Sequence, residues 1–99
     1  MFSIRFAEGV EEDLGKIRVY YRNQILAAIK KQLTYTPESP TRNRKLLPNL
    51  IPTWKAVPPI WELRAGEYRV FYDVSTEEEV VFVRAVRRKP PGQKSEDIL

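Results

Sequence analysis

The sequence predicts an α+β domain with the element order β-α-α-β-β-β, in which a small, mostly antiparallel sheet packs against two helices. Three observations predict this class. The first residues alternate between apolar and polar side chains, the next stretch repeats apolar residues every three or four positions, and from Ile60 onward the chain returns to alternating, β-rich runs. A chain of 99 residues suits one domain with one hydrophobic core. We therefore expect residues 1–99 to form a single domain.

The first strand and the first helix are predicted from the N-terminal residues. Phe2–Phe6 alternates apolar and polar side chains, as a short strand does. Val10, Leu14 and Ile17 follow at spacings of four and three, which places them on one face of a short helix. The acidic residues 11–13 favour a helix start there, because the N-terminus of a helix attracts negative charge.

A second, longer helix is predicted over residues 19–35. Ile25, Ile29 and Leu33 recur every four residues and form an apolar stripe that can face a sheet. The helix should end before Pro37, because a proline disfavours helical geometry in the residue that precedes it.

Residues 36–60 are rich in proline and predict a connection that contributes no strand to the sheet. Three strands should follow, at residues 61–64, 67–74 and 80–86, with separations short enough for antiparallel hairpins. The tail, residues 90–99, is polar, and we expect it to be loosely ordered.

The first of these hairpins can be assigned two faces. An even number of loop residues, either two (Ala65 and Gly66) or four (residues 64–67), puts the large apolar side chains of both strands on one face. In these registers Glu62 lies opposite Arg69. The core face would hold Trp61, Leu63, Tyr68, Val70 and Tyr72, and the other face Glu62, Arg64, Glu67, Arg69, Phe71 and Asp73.

Charge and residue usage limit the function classes. The net charge of +4 and the pI of about 9.5 favour polyanions or an acidic protein as partners. The absence of cysteine excludes disulfides, and the absence of histidine argues against the usual metal sites and against Ser-His or Cys-His catalysis. With no apolar run of membrane-spanning length and no signal peptide, we expect a cytoplasmic protein that has no membrane partner and needs no metal or cofactor.

Two segments resemble a known family. Trp61–Val74 (WELRAGEYRVFYDV) and, after a short acidic turn, Val80–Lys89 (VVFVRAVRRK) look like the central hairpin and last strand of RelE/ParE-superfamily toxins of type II toxin–antitoxin systems, RelE-like more than ParE-like. The resemblance covers nearly the whole chain. It implies the RelE-like microbial RNase fold, an acidic antitoxin as partner, and operator DNA bound only through the antitoxin complex. RelE-like members cut mRNA on the ribosome, whereas ParE-like members act on DNA gyrase.

The resemblance also implies catalytic residues. Arg69 matches the arginine that RelE-like nucleases place at the scissile phosphate, and Lys89, or its neighbour Arg87 or Arg88, matches a second basic residue near the end of the last strand. Glu62 is a candidate base, as in relatives that employ a glutamate. Attack of a ribose 2′-OH on the adjacent phosphate needs a base, an acid and cations for the developing charge. RNA contacts are predicted for Arg42, Arg44, Lys45, Arg64, Phe71, Arg84, Arg87 and Arg88.

Two departures from RelE leave the function open. Ile60 and Glu62 stand where RelE has strand lysines, and the C-terminal SEDIL contains no counterpart of its catalytic tyrosine. The favoured hypothesis is a ribosome-dependent mRNA endoribonuclease that inhibits translation. The alternatives are a ParE-like toxin that binds gyrase, or a degenerate member that only binds its antitoxin. Each candidate also has a structural interpretation: Arg69 as the ion-pair partner of Glu62, and the other cations as solvated loop or strand ends.

Overall fold

The computed structural model describes residues 1–99 and contains five strands in one sheet. The sheet order is β1-β5-β4-β3-β2; β1 pairs with β5 in parallel, and all other pairs are antiparallel. This architecture confirms the predicted α+β class. The elements are β1 (Ser3–Phe6), α1 (Val10–Gly15), α2 (Val19–Leu33), β2 (Arg44–Leu47), β3 (Ile60–Ala65), β4 (Tyr68–Ser75), β5 (Val80–Arg88) and a C-terminal 3₁₀ helix (Ser95–Ile98).

The main core lies between the two helices and one face of the sheet. The predicted helical stripes are buried there, together with the apolar residues that the strand pattern assigned to the same face. The buried helical residues are Val10, Leu14, Ile25, Ile29 and Leu33, and the buried residues of β3 and β4 are Trp61, Leu63, Val70 and Tyr72. Neither helix is long and apolar enough to cross a membrane.

The proline-rich connection contains a strand that the sequence did not predict. Arg44–Leu47 forms β2 and pairs with β3, so the expectation of no strand between residues 36 and 60 is wrong. The segment is four residues long, and only its backbone pairing with β3, which is distant in sequence, identifies it as a strand. β2 forms one edge of the sheet and brings its basic residues beside β3.

The β3–β4 hairpin turns at Gly66 and Glu67. Gly66 has φ +63°, a conformation that suits glycine at the first central position of a tight hairpin turn. The loop is even, so the predicted faces hold, but the register differs by two residues from the expected one. Arg64 lies opposite Arg69, and Glu62 lies opposite Phe71 rather than opposite Arg69.

A second, smaller core covers the other face of the sheet. Ile60, Phe71 and Ala85 are buried there beneath Trp54 and Ile98. Ile98 belongs to the C-terminal 3₁₀ helix, so this part of the tail packs onto the sheet instead of remaining loosely ordered. The physical reason is that the centre of this outer face is apolar, and the apolar end of the tail removes it from water.

Tyr72 carries a hydroxyl into the main core. Its side chain is fully buried, and its hydroxyl donates a hydrogen bond to the Pro37 carbonyl over 2.6 Å. We expect Tyr72→Phe to lower the free energy of unfolding at neutral pH by about 0.5–1.5 kcal/mol, because the carbonyl loses its partner. Urea denaturation of both proteins measures this difference.

The same pair of proteins should show a pH dependence. Burial raises the pKa of Tyr72 well above its ordinary value, because the phenolate would lose its hydration. A raised folded-state pKa stabilises the fold fully below the unfolded pKa of about 10, and this stabilisation is lost as the pH rises beyond it. The difference in free energy of unfolding between the wild type and Tyr72→Phe should therefore shrink above about pH 10. A difference that stays constant into strong alkali would contradict this expectation.

Candidate functional site

Two polar clefts adjoin each other beside the β3–β4 hairpin, and three cationic side chains line both of them. These shared residues are Arg64, Arg69 and Lys89. Neither cleft has a hydrophobic lining residue. The first cleft is also lined by Thr41, Arg42, Asn43, Arg44, Lys45 and Glu62, and the second by Gly66, Glu67, Pro90, Pro91, Gly92 and Gln93.

The sheet register forces arginines together at this site. Arg69 on β4 pairs with Arg64 on β3 and with Arg87 on β5, so three arginines lie side by side across the sheet. Like charges directly opposite each other destabilise a strand pair. Burial lowers the pKa of Arg69, and the charge of Arg64 adds to this effect, while Glu62 opposes it. Arg69 still carries its charge at neutral pH. Arg87 donates to Asp13, so the charge that remains at the site belongs to Arg64 and Arg69, with Lys89 in the lining of the same clefts, and it is suited to an anion.

Glu62 holds the basic residues of the first cleft in place. Its side chain is buried, with Oε1 at 3.6 Å from Lys45 Nζ and 3.8 Å from Arg69 Nε. Its other oxygen, Oε2, accepts a hydrogen bond from the Ser95 hydroxyl. Arg69 is fixed from its far end as well, because its Nη1 donates to the carbonyls of Gly66 and Tyr68, each over 2.9 Å. The Arg69 guanidinium is therefore fixed in position before any ligand arrives.

The three predicted catalytic residues, Glu62, Arg69 and Lys89, line the first cleft together. Four predicted RNA contacts, Arg42, Arg44, Lys45 and Arg64, line the same cleft. Arg42, Arg64 and Lys89 make no ion pair within the protein.

Arg44 has a structural role that the sequence did not reveal. Its side chain is 7% exposed, and its Nη1 donates to the Gln32 carbonyl and to Thr36 Oγ1. Burial contradicts the interpretation of Arg44 as part of a solvated loop, and the bonds of its guanidinium to Gln32 and Thr36 contradict its prediction as an RNA contact. β2 carries this residue underneath the first cleft, where it ties the strand to the end of α2.

The three predicted arginines of β5 lie outside both clefts. A β-bulge leaves Arg84 without a direct partner on β4 and directs it to Asp73, which accepts bonds of 2.7 Å from Nε and 3.1 Å from Nη2. Arg87 donates to Asp13 on α1 over 2.7 Å. Arg88 forms an exposed pair with Glu67 at 3.4 Å. The structure therefore brings none of the three into the clefts, since each contacts a carboxylate elsewhere. That they contact RNA remains a prediction.

Phe71 was predicted to stack on RNA bases, and the structure contradicts this. Its side chain is 0% exposed, and its ring centroid lies 5.2 Å from that of Trp54. The strand pattern placed Phe71 correctly on the outer face of the sheet. It could not show that this part of the face is covered by the C-terminal 3₁₀ helix and by residues 48–59, the connection between β2 and β3 that carries Trp54 and is called the Trp54 segment below.

Ser95 is the site residue that sequence reasoning missed. It lies in the tail, beyond the segments that carry the family resemblance, and it contacts Glu62 only because the tail folds back. The one available indication was the apolar pair Ile98 and Leu99 at the end of a polar segment, a pattern typical of a terminus that packs against the domain.

Ser95→Ala should destabilise the fold by about 1.5–3 kcal/mol, because it removes a hydrogen bond to a buried charged group. Glu96→Ala is the matched control: Glu96 is the next residue of the same helix and is exposed, so its removal should change stability by under about 0.5 kcal/mol. Chemical denaturation of the two variants tests this. Equal stability of both would show that the Ser95–Glu62 contact is not maintained in solution.

Comparison with known proteins supports the family resemblance. A family model described as the ParE toxin of type II toxin–antitoxin system, parDE, matches residues 4–89. No curated protein sequence matches the chain significantly.

Several solved structures share the fold. The archaeal RelE–RelB complex from Pyrococcus horikoshii matches with a TM-score of 0.68 at 18% identity, covering 94% of this chain and 98% of that chain. The RelBE2 toxin–antitoxin complex from Mycobacterium tuberculosis matches with a TM-score of 0.67 at 20% identity, covering 89% and 98%. The isolated E. coli RelE toxin matches with a TM-score of 0.62 at 22% identity, covering 94% and 89%.

The matched residues 4–89 include β1 from its second residue, the other four strands, both helices and every lining residue of the two clefts except Pro90–Gln93. The chain therefore belongs to the ParE toxin family, within the RelE/ParE superfamily of toxins of type II toxin–antitoxin systems.

Proposed function

We propose that this toxin is a ribosome-dependent endoribonuclease that cleaves mRNA and so inhibits translation. One observation carries the proposal: Arg64, Arg69 and Lys89 line both clefts at their junction. An RNA strand that runs from one cleft into the other would place a phosphate among these three cations. Arg69 is preorganised there by Glu62 and by two backbone carbonyls. The proposed activity takes place in the cytoplasm, where mRNA is translated.

The proposed reaction is an internal transfer at one phosphate. The ribose 2′-oxygen forms a bond to phosphorus, the bond from phosphorus to the 5′-oxygen of the next nucleotide breaks, and a 2′,3′-cyclic phosphate remains. Negative charge builds up on the phosphate oxygens in the transition state, where fixed cations act most strongly. Arg69 and Arg64 supply the positive charge that stabilises these oxygens. A guanidinium can donate to two phosphate oxygens at once.

Glu62 and Lys89 are suited to move the two protons. Glu62 is the one carboxylate that lines the first cleft, so it is the lining group with oxygens that can accept a proton. We assign it to accept the 2′-OH proton. Lys89 lines both clefts and makes no ion pair within the protein, and we assign it to donate a proton to the leaving 5′-oxygen. Arg42 and Lys45 lie along the first cleft and bind flanking phosphates.

A toxin of this family has an antitoxin as its partner. We propose that this antitoxin is acidic, because the toxin carries a net charge of +4, and that operator DNA is bound only through their complex. Co-expression of the two genes should yield a stable complex, and its association rate should fall as salt rises, because the charges that steer the encounter are screened. Stopped-flow binding at several salt concentrations measures this. Association that is insensitive to salt would contradict an electrostatically steered encounter.

A gyrase-binding toxin is the second candidate function. The observation that favours it is that the matching family model is the ParE toxin model. In addition, no tyrosine lines either cleft, so the site lacks the aromatic acid–base group that RelE-like nucleases are expected to use.

Primer extension on a translated mRNA separates these functions. If the proposal is correct, wild-type toxin produces cuts in phase with codons, and these cuts require ribosomes. The parallel assay is DNA supercoiling by gyrase in the presence of the toxin. Intact transcripts together with failed supercoiling would refute the nuclease proposal and support the gyrase alternative. Antitoxin binding without either effect would identify a degenerate toxin.

A further inference from the structure

A separate groove opens beside β1, at the opposite edge of the sheet from β2, whose residues line the first cleft. We call it the β1 groove; its volume is about 420 Å³. It shares no lining residue with either cleft. Its lining residues are Arg5, Phe6, Ala7, Glu8, Trp54, Lys55, Phe82 and Arg84.

Two cations of the β1 groove are free to bind a ligand. Arg5 and Lys55 are exposed, and neither takes part in an ion pair within the protein. Arg84 is already neutralised by its two hydrogen bonds to Asp73. The one acidic lining residue is Glu8, so the groove retains an excess of uncompensated positive charge.

Aromatic rings occupy the space between these cations. Phe82 lies beside Arg5 in the register of β1 and β5, and the Arg84 guanidinium lies 4.7 Å from its ring centroid. Phe6 is 46% exposed. Trp54 packs against Phe71, and its indole Nε1 is buried without a hydrogen-bond partner. Phe82 and Trp54 are fixed by these contacts, so stacking a base on one of them costs little conformational entropy.

Free cations that alternate with fixed aromatic rings are typical of surfaces that bind single-stranded nucleic acid, where cations contact phosphates and bases stack on rings. An acidic peptide would use the cations but has no requirement for three rings. We propose that the β1 groove binds single-stranded RNA. The inference rests on the proposed RNA substrate, since it supplies a second contact for the same strand.

The position of the groove agrees with this. Arg69 and Asp73 lie on the same face of β4, four residues apart, which corresponds to about 13 Å. Asp73 pairs with Phe82 on β5, and Phe82 pairs with Arg5 on β1. The second core covers the outer face of the sheet between the first cleft and the groove, so an RNA strand that reaches both runs over the outside of the Trp54 segment.

The test measures binding of a single-stranded RNA in which every 2′-OH is methylated, so that it cannot be cleaved. The variant is Arg5→Glu/Lys55→Glu, and the matched control is Lys30→Glu/Lys31→Glu, which reverses two exposed charges at the end of α2, on the other side of the sheet. We expect about tenfold weaker binding or more for the groove variant. The slope of the logarithm of its binding constant against the logarithm of salt concentration should fall in magnitude by about 1.4, the value for two lost phosphate contacts on a single strand. The control should change much less.

Trp54 supplies an independent readout. The chain has two tryptophans, and Trp61 is buried in the main core, so quenching of fluorescence by the RNA should disappear in Trp54→Phe. Equal weakening in the groove variant and the control would overturn the proposal, and so would loss of antitoxin binding with RNA binding unchanged. Because the RNA is uncleavable, a toxin that fails to cut mRNA can still show binding at the groove, and the two failures remain distinguishable.

Discussion

Arg69→Ala is expected to lower the rate of mRNA cleavage by about 100- to 1000-fold, the usual effect of removing one preorganised group that stabilises transition-state charge. Arg69 is the central residue of the site, because it lines both clefts and is fixed by Glu62 and by the hairpin carbonyls. Expression of the variant should no longer arrest growth. Primer extension on ribosome-bound mRNA, with wild type and variant at equal concentration, measures the effect.

The fold must be measured beside the activity, since Arg69 also has structural contacts. Its loss frees the carbonyls of Gly66 and Tyr68 and removes one cation from buried Glu62. Arg69→Lys retains a charge but cannot donate to two phosphate oxygens while holding the hairpin, so we expect intermediate activity. Arg88→Ala is the matched control, because Arg88 is an exposed arginine outside both clefts.

Three outcomes separate the possible roles of Arg69. A folded Arg69→Ala protein that binds antitoxin but does not cut mRNA supports the catalytic role. If the variant cuts at nearly the wild-type rate, the phosphate is not bound at the junction of the clefts, and the proposed site is wrong. If Arg88→Ala loses as much activity as Arg69→Ala, general surface charge, rather than the fixed guanidinium, drives the interaction with the ribosome.

The sequence was sufficient for the helices and for the two faces of the central hairpin. Both depend on local periodicity, which is strong in α2 and in β3 and β4. The same periodicity could not fix the register. The turn is centred on Gly66 and Glu67, which shifts the register by two residues from the predicted one. The shift keeps each side chain on its predicted face but gives Glu62 and Arg69 new cross-strand partners, Phe71 and Arg64. The ion pair between Glu62 and Arg69 survives because diagonal neighbours on one face remain within reach.

The parts of the site that the sequence did not predict depend on contacts between distant segments. Arg44 is buried because β2 pairs with β3, and Phe71 is buried because the Trp54 segment and Ile98 lie over it. Ser95 reaches Glu62 from the end of the chain. The first two contacts have no local pattern in the sequence, and the apolar pair Ile98 and Leu99 indicates only that the tail packs on the domain, not that Ser95 reaches Glu62. Basic residues could be identified as candidates, but which carboxylate each one contacts is decided by the fold.

Asp73→Ala should produce the largest loss of stability, about 3–5 kcal/mol, because it leaves a buried cation without its partner. The Asp73 carboxylate is 1% exposed and accepts three hydrogen bonds, two from Arg84 and one from the backbone N–H of Val57 at 3.1 Å. It therefore ties the bulge of β5 to the segment that carries Trp54. Equilibrium unfolding in urea measures the loss.

An exposed ion pair in the same sheet supplies the control for this prediction. Glu67 and Arg88 are separated by 3.4 Å with both side chains more than half exposed, so Glu67→Ala should cost under about 1 kcal/mol. The double variant Asp73→Ala/Arg84→Met should recover part of the loss, because it removes the unpaired cation and restores apolar volume. If the double variant were less stable than Asp73→Ala alone, the cost would arise from lost packing or from the Val57 N–H rather than from the uncompensated charge of Arg84. A gain in stability in the double variant would instead show that Asp73 stabilises the fold mainly by neutralising Arg84, which lines the β1 groove.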